Sequence, residues 1–173
     1  MKFSVKKKFL LFFIVNFLIL SSGCKMSYSF NGASVPADAK TISIQYFQNY
    51  APLAGPTISQ LFTEELKNYF SQQTHLSLVD KGGDLNFEGS ITGFSTAPLA
   101  IKPGDQSALT RLTVTVQVKY TNKFDKTKNF DASFSRFADY TSSQNLSTVE
   151  NDLVTQINQQ LAEDIFNKAL NNW

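Results

Sequence analysis

Arg111-Leu112-Thr113-Val114-Thr115-Val116-Gln117-Val118-Lys119-Tyr120 alternates without a break. Leu112, Val114, Val116, Val118 and Tyr120 face one way. Arg111, Thr113, Thr115, Gln117 and Lys119 face the other. A period of two over this length is a half-buried strand. It requires a sheet with one apolar and one polar face. The partner strand follows a turn near Phe124–Lys128 and runs from about Asn129 to Tyr140. Phe130, Ala132 and Phe134 form its apolar side. Arg136 falls in phase with them and Phe137 out of phase, so a bulge near Ser135 is expected.

Working outward, Leu85, Phe87, Gly89, Ile91 and Gly93 alternate with Asn86, Glu88, Ser90 and Thr92 in a second long strand reaching about Thr96. Gly89 and Gly93 point to a bulge or a close backbone approach. Asp80-Lys81-Gly82-Gly83-Asp84 before it is a turn. It lacks the helix with Lys-Ser/Thr that a phosphate-binding loop needs. Thr41–Phe47 reads as a strand with Ile42, Ile44 and Tyr46 on its apolar side. A helix is expected from Pro56 or Thr57 to Gln73, opened by proline or by a Thr57/Gln60 capping box. Ile58, Leu61, Phe62, Leu66, Tyr69 and Phe70 form its stripe. A short strand, Leu76–Val79, follows. After the central hairpin, Ser147 and Glu150 fit a capping box for a final helix to about Leu170. Leu153, Ile157, Leu161 and Ile165 line its inner side. Ala97–Ser107 is a loop, and Trp173 is either a lid on the core or a contact for a partner.

Two amphipathic helices need one apolar surface. The expected fold is therefore α+β: a two-layer sandwich with both helices on one face of a four- to five-stranded, mostly antiparallel sheet. The other face is left to water or a partner.

The N-terminus has a separate logic. Lys2, Lys6, Lys7 and Lys8 precede an apolar run from Phe9 to Leu20 broken only by Asn16, and small residues follow. This is a secretory signal, too short to span a bilayer, which takes about 20 apolar residues. Leu20-Ser21-Ser22-Gly23-Cys24 resembles the bacterial lipobox. The resemblance implies cleavage before Cys24, a diacylglyceryl group on its sulfur and an acyl chain on its new amine. A transmembrane anchor or an ordinary cleaved signal with a free thiol are the alternatives. Cys24 is the one cysteine in the chain, and a lone free thiol is unusual in a secreted protein. Multiple acyl chains give stable anchoring. Lys25 in place of the retention Asp used by enteric bacteria favours the outer membrane. The organisation is thus 1–23 signal peptide, 24–39 lipidated Cys and tether, and 40–173 a single domain.

Composition narrows the function classes. Without residues 1–23 the chain keeps 12 basic and 14 acidic residues, a net charge of −2. A general nucleic-acid binder is not indicated. His75 is the only histidine and has no cysteine or histidine to share a metal with. Its position suits a cation at a helix C-terminus. No nucleophile–base set emerges. Asp80/Asp84 and Glu163/Asp164 read as solvated carboxylates, since acid–base work needs a shielded, perturbed carboxyl. No enzyme is expected, and no cofactor beyond the acyl chains on Cys24. Between Arg111 and Arg136 basic residues dominate, whereas from Phe137 onward acidic ones do. Arg111 and Lys119 share the polar side of one strand, which suits phosphate or carboxylate contacts. Protection of an exposed sheet is the plainer use of such charges.

The lipidated Cys24, the strand Thr41–Phe47, the helix Pro56–Gln73, the strands between Leu85 and Tyr140 and the helix Ser147–Leu170 together resemble the LptE family of lipopolysaccharide-assembly lipoproteins. The most family-like stretches are Thr41–Asn49 and Phe62-Thr63-Glu64-Glu65-Leu66. The resemblance implies a non-enzymatic plug and assembly partner of an LptD-like outer-membrane β-barrel, with the domain in the periplasm or barrel lumen. It also implies contact between basic strand residues and lipopolysaccharide phosphates. Arg111, Lys119 and Arg136 are candidates by charge and face. A polar surface suits a wet lumen. An activator of a periplasmic cell-wall synthase and a lipid carrier are the rival classes.

Overall fold

The structure is a computed structural model and describes residues 35–100 and 108–170. The expected signal peptide, Cys24, most of the tether and Trp173 lie outside the described residues. The tether's last residues do not: Val35 and Ala39 are half-buried against the core.

The elements are β1 (Thr41–Ile44), β2 (Gln48–Asn49), α1 (Ile58–Gln73), β3 (Ser77–Leu78), β4 (Leu85–Pro98), β5 (Leu109–Asn122), β6 (Phe130–Thr141) and α2 (Leu146–Leu170). A short 3-10 turn, Lys126–Lys128, joins β5 to β6. The six strands form one sheet, ordered β3-β1-β4-β5-β6, with β2 also beside β4. The expected α+β layering holds, with both helices packed on one side. The expected antiparallel character holds for the long strands, but the sheet as a whole is mixed, and it has six strands where four to five are expected. β4–β5–β6 is antiparallel, whereas β1 and β2 run parallel to β4, and β3 runs parallel to β1. The reason is topological. Helix α1 carries the chain back across the sheet, so β3 re-enters alongside β1 in the same direction.

The β1 edge is built around Phe47. After Ile44 the regular strand lapses, and pairing with β4 resumes at Gln48. The lapse turns Tyr46 outward and Phe47 inward to full burial, the reverse of the simple alternation. The Phe47 amide, removed from the sheet ladder, donates to Thr63 Oγ1 at 3.1 Å. Thr63 in turn donates to the Ser59 carbonyl. A buried amide left unpaired would be costly, and this explains why Ser59 and Thr63 are buried in α1 while Leu61 is exposed. Gly89 of β4 makes the space. A methyl group there would overlap the Gln117 carbonyl oxygen and fall 2.7 Å from the Phe47 ring.

Three local expectations are corrected. The Thr57 side chain makes no capping hydrogen bond, because Thr57 already has helical backbone angles and the chain enters α1 through Gly55 and Thr57 carbonyls instead. Helix α2 begins one residue before Ser147, and Asn145 Oδ1 accepts the Ser147 amide at 3.3 Å. No bulge interrupts β6: its register with β5 is continuous from Leu109↔Thr141 to Tyr120↔Phe130. The irregularity lies in β4, between Ile91 and Gly93. It shifts the phase by one residue, which is why Phe94 rather than Gly93 enters the core.

The core fills the space between sheet and helices. Rings run across it in contact: Tyr69 to Phe166 to Phe70, then Phe70 to Phe87 at 4.8 Å, Phe87 to Tyr120 at 4.7 Å and Tyr120 to Phe130 at 5.3 Å. Leu153, Ile157, Leu161 and Ile165 supply the expected α2 stripe.

Candidate functional site

The sheet face turned away from the helices carries the polar half of each alternating strand. Its centre is held by side chains bonded across strands. Thr115 Oγ1 lies 3.1 Å from Ser135 Oγ, and Gln117 Nε2 donates to Asp131 Oδ1. The surface is rich in hydroxyls and amides.

Arg111 and Lys119 both lie on this face, as the alternation requires. They do not converge. Eight residue steps along the strand separate them, about 26 Å. Arg111 sits at the β5 N-terminal end. Its Nε donates to Asp139 Oδ1 at 2.8 Å and its Nη2 to Asp139 Oδ2 at 2.9 Å. The guanidinium carbon stands 3.5 Å from the centre of the Phe137 ring. Cation–ring contact and two-point carboxylate pairing fix the plane of the guanidinium. The paired hydrogen bonds raise the Arg111 pKa and hold the Asp139 carboxyl below the usual carboxylate range.

Lys119, at the other end, is flanked on both sides in register by acids, Glu88 on β4 and Asp131 on β6. Its Nζ lies 2.8 Å from Glu88 Oε1. That hydrogen bond is the main reason its pKa is raised. Gln45 Nε2 donates to the second Glu88 oxygen at 3.3 Å.

Arg136 is apart from both. It belongs to the opposite, helix-side face, in phase with Phe130 and Phe134. Its Nη2 donates to Asp164 Oδ1 on α2 at 2.6 Å, and this pairing raises its pKa. Its phase thus needs no bulge: the long stem clears the apolar edge and the charged head meets an acid on the helix.

The carboxylate pairs behave as surface groups. Asp84 Oδ2 accepts the Lys40 and Thr41 amides and the Thr41 hydroxyl, and these bonds lower its pKa. It clamps the start of β1 and is poorly placed to act as an acid. Asp164 serves Arg136.

A half-open cleft of about 500 Å³ lies elsewhere, at the β1–β3 edge, lined by Ile44, Tyr46, Lys67, Leu78, Val79 and Lys81 among others. It exists because β3 stops after two residues while the chain of β1 continues. Sequence reasoning missed it, since strand length mismatch across a parallel pair leaves no local signal. None of Arg111, Lys119 and Arg136 lines it.

Among the described residues no group of three His, Cys, Asp or Glu side chains could hold a metal ion, and no helix is long and apolar enough to cross a membrane. One face of the two-layer α+β domain is closed by helices, and the other is an open sheet with paired charges. The chain belongs to the LptE family of lipopolysaccharide-assembly proteins, whose model matches residues 39–169. In fold it is similar to protein XCC0632 from Xanthomonas campestris, at a TM-score of 0.52 and 10% identity over 80% of this chain and 89% of that one. Two lipoproteins are also similar: a minor lipoprotein from Acinetobacter baumannii (TM-score 0.49, 12% identity, 75% of this chain and 91% of that one) and rare lipoprotein B from Shewanella oneidensis (TM-score 0.43, 16% identity, 73% and 90%). A search of curated proteins returned no match.

Proposed function

We propose that this chain is a lipoprotein held at the outer membrane through acyl chains on Cys24. It acts there as the plug and assembly partner of an LptD-like β-barrel in lipopolysaccharide delivery. It works by fitting and binding, without catalysis. The observation that carries the reading, beyond family membership, is the open sheet face. Hydroxyls, amides and paired charges cover it, as a body standing in a wet lumen requires. The ring-filled interior speaks against carrying a lipid between sheet and helices. Arg111 and Lys119 are the proposed contacts for lipopolysaccharide phosphates. With about 26 Å between them, they serve as separate contacts. Arg136, paired with Asp164 on α2, is left out of the proposed contacts.

Replacing Arg111 and Lys119 together with Glu tests the contact. Lipopolysaccharide binding by the double variant falls if these two residues make it. Undiminished binding removes both from the site.

A further inference from the structure

Each proposed phosphate contact is already occupied by an acid from a neighbouring strand. Asp139 takes two donors of Arg111, Nε and Nη2, and does not use Nη1. Glu88 takes Lys119. Both pairs are direct cross-strand neighbours, Arg111↔Asp139 and Glu88↔Lys119. The pairs are accessible: side-chain exposures are 33% and 28% for Arg111 and Asp139, and 57% and 35% for Lys119 and Glu88. Opposite charges across a sheet also stabilise the pairing. The single Lys119–Glu88 contact is of the weak, exchangeable kind, and the two-point Arg111–Asp139 pair is stronger but still open to solvent. A phosphate monoester carries up to about two negative charges and three acceptor oxygens. A carboxylate carries one charge and two oxygens.

We infer that Asp139 and Glu88 are specificity gates. Each holds a ligand phosphate's place on Arg111 or Lys119 and yields only to a group of higher negative charge. The inference rests on the proposed reading of Arg111 and Lys119 as lipopolysaccharide contacts. The gate serves two ends. Empty, it leaves both cations of the open face paired, so carboxylates and monoanions gain little. Engaged, it exchanges an intramolecular pair for a phosphate contact on a cation that is already oriented. Arg111 is the stricter site, because the Phe137 ring keeps its guanidinium in plane when Asp139 moves away. Lys119 is the looser one, because Asp131 stands on its other side and repels any anion.

The test uses the full chain with purified lipopolysaccharide, the same lipid dephosphorylated, and inorganic phosphate. Asp139→Asn and Glu88→Gln keep the shape and remove the charge. Each tightens binding to lipopolysaccharide, by up to about fivefold if an exposed pair is what must be broken. The gain disappears when Asp139→Asn is combined with Arg111→Gln, or Glu88→Gln with Lys119→Gln, and it is absent with the dephosphorylated lipid. A matching gain for inorganic phosphate supports the gate and makes the phosphate group the whole signal. A gain confined to the intact lipid supports it and adds the lipid's own contribution. Unchanged or weaker binding by both acid variants, with Arg111→Gln and Lys119→Gln still impairing it, overturns the gate while the reading beneath it stands. Indifference to all four substitutions removes that reading, and the gate with it. The two pairs are far apart, so misfolding of one variant leaves the other as an independent test.

Discussion

Arg136 on β6 and Asp164 on α2 are paired through two nitrogens, with Nη2 to Oδ1 at 2.6 Å. The pair ties the sheet's outer strand to the last helix. Both side chains are partly exposed, 45% and 27%, so solvent screens the attraction. A double-mutant cycle with Arg136→Ala and Asp164→Ala is expected to give a coupling of about 0.2–1 kcal/mol in urea unfolding. Lipopolysaccharide binding should be unaffected by either change. A coupling of zero would show that the tie adds nothing to stability.

Gly89→Ala is expected to destabilise the fold by about 1–3 kcal/mol, because a methyl group meets backbone and the Phe47 ring, neither of which can retreat cheaply. Gly93→Ala is the control. Its methyl group meets the Thr115 side chain at 3.1 Å, and the cost should be smaller. Denaturant midpoints compare the two, and equal losses would contradict the packing of Phe47 under β4.

Asp84, Asp125 and Asp139 all have lowered pKa values in the folded chain. The leading causes are hydrogen bonds from the Lys40 amide, the Thr127 hydroxyl and Arg111, respectively. The unfolded chain therefore takes up protons first as the pH falls. Their stabilisation is complete above the ordinary Asp value of about 3.9 and is lost as the pH drops through the lowered folded values. Thermal unfolding followed from neutral to acid pH should show this decline. Asp84→Asn should flatten it, since one amide oxygen cannot replace a carboxylate at the start of β1.

The alkaline side depends on Tyr120. Burial, partly offset by the hydrogen bond from Asn122, pushes its pKa up to about 12. A raised tyrosine pKa means that the folded chain holds the proton longer. The stabilisation is present below the ordinary value of about 10 and is lost as pH rises from there through about 12. In a tyrosinate absorbance titration, Tyr120 should ionise late and together with unfolding, and Tyr120→Phe should remove that step. Early ionisation of every tyrosine would contradict the buried hydroxyl.

Periodicity made much of this fold legible. The central strands, the two helical stripes and the outward side of Arg111 and Lys119 all follow from spacing. What spacing cannot carry is the identity of the neighbour across the sheet. Along the chain, basic residues precede acidic ones near Phe137. In space they interleave: Asp139 returns to Arg111, Asp164 to Arg136, and Glu88 from an earlier strand to Lys119. The parallel pairing of β1 was hidden for the same reason, because α1 sets strand direction and the strand residues do not. Arg136 imitates a bulge in the sequence because a long charged side chain can sit in an apolar phase and still reach a partner at the edge. Phe47 was hidden because its inward turn depends on a glycine and a threonine, Gly89 and Thr63, far along the chain.

The central claim is that this small domain is an anchored part of a barrel assembly. The most direct measurement extracts the full chain from envelopes with mild detergent, captures it under conditions that keep complexes intact, and identifies by mass spectrometry what accompanies it. The account predicts a large outer-membrane β-barrel protein in stoichiometric amount and an acylated Cys24. Recovery with a periplasmic cell-wall synthase instead, or release of an unmodified chain without detergent, would contradict it.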